Sequence, residues 1–186
     1  MSDSADFEDL DYRSAGGVAW IEVDRPATMH SLRHETLAEL VTARQRAEET
    51  DGVRAIVVGS RGDDAFCTGA DLDLIGSYTD DADAIDRWLT DWRDAITGLR
   101  GSDLPVVGCV TGPALAGGLE LVLACDVVVA GVDAVFGDQH LNYDLVPGGN
   151  GTQLLPRIVG PRRAKYLILT GDTIDAETAR AWGLVN

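Results

Sequence analysis

Short apolar runs at residues 17–23, 54–60, 105–110 and 126–130 alternate with stretches whose apolar residues recur at helical spacing. This alternation constrains the fold more than any other feature of the chain. Strands separated by helices join most readily as parallel neighbours through right-handed crossovers, with helices covering the sheet. The first helical stretch, 34–50, sets Leu37, Leu40, Val41 and Ala47 on one face. The next carries Ile85, Trp88, Leu89, Trp92, Ala95, Ile96 and Leu99 in an unbroken i, i+3, i+4, i+7 stripe, which predicts burial of the whole stripe. A helix opened by Gly117-Gly118 extends to Ala124, and further helices are expected at 152–159, 162–169 and 175–182. Residues 137–149 read as a loop and 1–11 as a disordered, frayed terminus. A chain of 186 residues without repeats or a low-complexity tract supports one core, so residues 1–186 are read as a single α/β domain.

Charge narrows the choice of partners. The net charge is −16 with Lys165 as the sole lysine, which argues against nucleic acid, because phosphate binding needs clustered cations. An Asp-rich, Lys-poor surface fits a protein adapted to high salt, with codon bias as the alternative source of that composition. No apolar run reaches membrane-spanning length, and the acidic start lacks the order of a signal peptide, so a cytoplasmic location is expected. Cys67, Cys109 and Cys125 show neither disulfide nor metal-ligand spacing, and no metal is expected.

Two glycine-bearing junctions lead from strand to helix: Phe66-Cys67-Thr68-Gly69-Ala70-Asp71-Leu72 and Gly112-Pro113-Ala114-Leu115-Ala116-Gly117-Gly118-Leu119-Glu120-Leu121. At such junctions unpaired N–H groups point outward, and the helix dipole favours negative charge. Neither stretch fits a dinucleotide or phosphate-loop pattern, which lowers a nucleotide-binding reading.

Taken together, these segments resemble the crotonase superfamily of enoyl-CoA hydratases and isomerases. Asp24-Arg25-Pro26, Ala134-Val135-Phe136, Val146-Pro147-Gly148, 151–157, Leu169-Thr170-Gly171 and the closing 181–186 follow in family order, so the resemblance covers nearly the whole chain. It implies the spiral fold of repeated ββα units shared by ClpP and crotonase. It also implies an acyl-CoA substrate in fatty acid metabolism, no cofactor beyond the coenzyme A of that substrate, and a homo-oligomer, trimer or hexamer. The family's C-terminal trimerisation helices are expected to be absent here.

The same resemblance implies residue roles. The N–H groups of Ala70 and Gly117 would form an oxyanion hole for the thioester carbonyl, and the backbone of Ala70, Asp71 and Leu72 would contact the CoA adenine. Glu120 falls one helical turn after Gly117 and is the leading acid/base, against the alternative of a glutamate that merely complements a helix N-terminus. His140 stands where hydratases of this family place a second catalytic glutamate; an imidazole can replace it in activating water. An ordinary loop histidine beside a solvated Asp138 is the alternative, and His30 and His34 read as structural or exposed. A β-diketone hydrolase branch also carries a histidine at this point but needs an aspartate where Gly149 stands, so its dyad is incomplete here, with Asp138 and Asp144 as the residues that could compensate. Trp88 and Trp92 are candidates for an acyl pocket or for plain core. Three functions stay open: a hydratase-like lyase, a C–C or thioester hydrolase using His140, and a non-catalytic acyl-CoA-binding or assembly subunit.

Overall fold

The computed structural model describes residues 7–78 and 81–186. The chain runs β1 (Leu10–Ala15), β2 (Val18–Val23), α1 (His34–Glu49), β3 (Ala55–Ser60), α2 (Leu72–Ser77), α3 (Ala82–Arg100), β4 (Val106–Val110), β5 (Pro113–Leu115) and α4 (Gly117–Ala124). It continues through β6 (Val127–Ala130), β7 (Val135–Gly137), α5 (Gly151–Val159), α6 (Pro161–Thr170), β8 (Thr173–Asp175) and α7 (Ala176–Trp182). One sheet has the order β1-β2-β3-β4-β6, parallel except for the β1–β2 hairpin; β5, β7 and β8 form a second.

Period-two alternation puts Ala19, Ile21, Val23, Ile56, Val58, Val106, Val110 and Val128 on the buried face of the larger sheet. Onto that core α1 brings Leu37, Leu40, Ala43 and Ala47, while α3, packed against α1, brings Trp88, Trp92, Ile96 and Leu99. Each such aliphatic or aromatic side chain stabilises the fold by roughly 1.5–3 kcal/mol relative to leaving it exposed. The predicted α3 stripe is buried only in part. Ile85 is half-buried, and Leu89 is 42% exposed, its side chain lying beside Gly148.

The N-terminus departs from its predicted fraying. Residues 1–6 lie outside the described residues, but Asp9 is buried, and Leu10 and Asp11 begin β1 in register with Val23 and Glu22. Burial alone would raise the Asp9 pKa. Hydrogen bonds from Arg33 and Thr36, with the charges of Arg33 and Arg25, instead hold that carboxyl below its ordinary value. The acidic composition of this stretch thus conceals an ion-paired strand. Strands β5, β7 and β8, three residues each, are too short for period two to register in a sequence.

Candidate active site

Helix α4 is the centre of the site. All eight of its residues are buried, and the only charged one is Glu120. A helix apolar all round belongs in a protein interior, so a carboxylate there needs a specific reason.

The helix reaches its place because its first residues have no side chains. A Cβ on Gly118 would lie 2.0 Å from the Cys67 carbonyl oxygen, and one on Gly117 would lie 2.0 Å from Cζ2 of Trp92 and 3.2 Å from Cα of Gly69. The two glycine junctions read from the sequence are therefore pressed together. Ala70 pairs with Leu32 in a parallel bridge in which Leu32 N donates to Gly69 O (2.8 Å) and Asp71 N donates to Leu32 O (2.9 Å). Alternation along an extended backbone turns the Ala70 N–H away from that bridge. Gly117 begins α4, where no preceding turn supplies a carbonyl. Among the described residues neither N–H donates to a protein acceptor. Ala116, whose ψ sets the direction of the Gly117 N–H, holds φ 50° and ψ −114°, a conformation costly for a residue with a Cβ.

Glu120 accepts three hydrogen bonds. Oε1 takes the backbone N–H groups of Gly149 and Gly151, each at 2.8 Å, and Oε2 takes the indole N–H of Trp92 at 2.9 Å. Gly151 opens α5, so the carboxylate sits at the N-terminus of a second helix as well as on the first turn of its own. Burial pushes the Glu120 pKa above its ordinary value; the Gly151 N–H, the charge of His140, and the Trp92 and Gly149 donors oppose it without overcoming it. Sequence reasoning missed these donors. Trp92 had a legible signal, because a buried indole N–H requires a partner and α4 supplies one carboxylate. Gly149 and Gly151 had none, since their role depends on how a loop closes.

His140 opens a single 3-10 turn, His140–Tyr143, separated from β7 by Asp138 and Gln139. Its Nδ1 is 3.0 Å from Oδ1 of Asp138, and its charge reaches Glu120. Asp138 is only 1% exposed, which corrects the reading of a solvated neighbour. The position of the missing hydrolase aspartate is also explained. A Cβ on Gly149 would fall 2.3 Å from Trp92 Nε1 and 2.6 Å from Glu120 Oε2, so no side chain fits there. Asp71 is committed to structure: its side chain caps α2 by accepting from Leu74 N (3.4 Å) and pairs with Arg25 (3.0 Å), while the neighbouring Leu72 is exposed.

The other titratable candidates are structural. His30 is buried and its Nδ1 accepts from the Arg25 N–H at 3.1 Å; burial lowers its pKa, against the opposing charge of Asp24. Burial likewise pushes the Cys67 and Cys125 thiols up to about 12, which keeps them unreactive at neutral pH. Among the described residues no cluster with metal-binding spacing occurs, and no helix is long and apolar enough to cross a membrane.

A family model described as enoyl-CoA hydratase/isomerase matches residues 13–186. A probable mitochondrial enoyl-CoA hydratase 2 of Arabidopsis thaliana is 34% identical over 173 residues, which cover 93% of this chain and 57% of that protein. A crotonyl-CoA hydratase of Syntrophomonas wolfei is 32% identical over 180 residues, covering 97% of this chain and 68% of that protein. Among solved structures, an enoyl-CoA hydratase/isomerase from Xanthobacter autotrophicus superposes with a TM-score of 0.92 at 36% identity, covering 97% of this chain and 66% of that one. The chain thus spans about three fifths to two thirds of the length of these proteins.

Proposed function

The chain belongs to the enoyl-CoA hydratase/isomerase family, of crotonase fold, and from that premise we propose that it interconverts 2-enoyl-CoA and 3-hydroxyacyl-CoA thioesters as a hydratase-like lyase. The observation that carries this reading is a buried carboxylate on three N–H donors, one helical turn from the bare Gly117 N–H, which itself lies against Gly69. The thioester carbonyl accepts from the N–H groups of Ala70 and Gly117. In dehydration the Glu120 carboxylate removes the α-proton, negative charge gathers on the carbonyl oxygen, and hydroxide leaves the β-carbon with a proton from His140. Hydration is the reverse: His140 takes a proton from water as its oxygen bonds to the β-carbon, and protonated Glu120 delivers the α-proton. Two preorganised donors suit this task, since loss of one such donor typically costs about 3–4 kcal/mol of transition-state stabilisation. The backbone of residues 70–72 is assigned to the CoA adenine, and no metal or redox group enters the reaction.

Glu120→Gln tests the assignment. Hydration of crotonyl-CoA is expected to fall about 10²–10⁴-fold, while calorimetric binding of butyryl-CoA changes only a few-fold. Unchanged turnover would remove Glu120 from the mechanism. A wild-type protein that cleaves a β-diketone in a His140-dependent way and never hydrates crotonyl-CoA would instead favour the hydrolase reading, which the His140–Asp138 contact supports.

We also propose self-association, as a trimer or hexamer. The exposed Val127, Val129, Val132, Val146 and Leu169 support it, and light scattering measures it.

A further inference from the structure

We propose that Asp138 is a positioning residue that fixes the tautomer of His140, so that Nδ1 carries the proton and Nε2 presents a bare lone pair to water. The inference rests on the hydratase-like reading and deepens it.

Three observations converge. An ionised carboxylate can only accept, so at 3.0 Å the shared proton belongs to Nδ1 of the imidazole. Among the described residues every hydrogen bond of the Asp138 side chain goes to His140: Oδ1 takes the ring N–H and, at 3.4 Å, the His140 backbone N–H. The second oxygen, Oδ2, is buried without a partner among the described residues, and an unsatisfied buried oxygen destabilises the fold. A carboxylate buried in this way contributes little to holding the fold elsewhere. Its service is to the ring.

On the other side of the imidazole, Nε2 makes no hydrogen bond among the described residues. The ring is thus oriented at one nitrogen and open at the other, the arrangement that lets a histidine take a proton from water and return it. The charged group facing this pair from a neighbouring element is Glu120 on α4, whose carboxylate feels the His140 charge. In hydration, Nε2 removes a proton from water while the water oxygen bonds to the β-carbon. The resulting imidazolium is held against Asp138 until it gives its proton to solvent, the α-proton of the product coming from Glu120. Asp138 touches no reacting atom and acts through the ring alone.

The decisive measurement is a two-bond ¹H–¹⁵N correlation spectrum of the substrate-free, ¹⁵N-labelled protein at about pH 8.5, where an ordinary histidine is neutral. His140 is expected to show a protonated Nδ1 and a bare Nε2. His30, whose Nδ1 accepts from a backbone N–H, gives the opposite pattern within the same spectrum. A bare Nδ1 on His140, or averaging between tautomers, overturns the proposal whether or not crotonyl-CoA is a substrate, so its failure is separable from that of the hydratase reading. Asp138→Asn keeps the volume and removes the obligate acceptor. In that variant kcat is expected to fall at least about a hundredfold with KM within threefold, and the His140 tautomer to shift toward Nε2–H. A folded Asp138→Asn protein with wild-type kcat and an unchanged tautomer would overturn it equally.

Discussion

At Glu120 the balance between burial and hydrogen bonding sets which protonation state is available at neutral pH. Burial favours the uncharged acid, and the Trp92 N–H favours the carboxylate. Removal of an α-proton needs the carboxylate, so exchange of butyryl-CoA α-protons with deuterated water should decline, as pH falls, at a higher pH than for an ordinary glutamate. Trp92→Phe deletes one donor to the charged form, raises the Glu120 pKa further and moves that acid limb upward. Exchange at neutral pH should drop about tenfold, or about 1.4 kcal/mol. An acid limb that stays in place would show that the indole merely fills space. Glu120 and the glycine pair were legible in the sequence because their spacing is local. Trp92 signalled only that its indole needs a partner, and neither the Gly149 contribution nor the burial of Asp138 was legible, because the one depends on a partner distant in the chain and the other is disguised by composition.

Among the elements, α4 shows how a motif becomes a device. Its glycine-opened start and apolar continuation were readable, as were α1, α3 and the four main strands, whose periodicities are long enough to count. What the pattern did not reveal is that α4 is buried on every side and that its N-cap, Ala116, sits in a strained conformation. Strain of this kind costs on the order of 1–3 kcal/mol, whereas glycine adopts positive φ freely at a cost of roughly 0.5–1 kcal/mol in unfolded-state entropy. Ala116→Gly is therefore expected to stabilise the protein by about 1 kcal/mol in urea unfolding, and to lower kcat as the Gly117 N–H loses its fixed direction. Destabilisation by that substitution would mean the Ala116 methyl group contributes more through packing than its backbone costs.

For the whole molecule, charge is the dominant variable. With a net charge of −16, self-repulsion opposes compaction at low ionic strength, and the ion pairs joining Arg25, Arg33, Asp9 and Asp71 relieve it only locally. The thermal midpoint should rise from dilute buffer to molar KCl; a flat or falling dependence would assign the acidic composition to codon bias. The close seating of Gly118 on the carbonyl of Cys67 has a further consequence. It welds segments about fifty positions apart, and the glutamate clamp then recruits a third segment about thirty positions further on. No single fragment of the chain holds this centre, which exists only once all three segments have met.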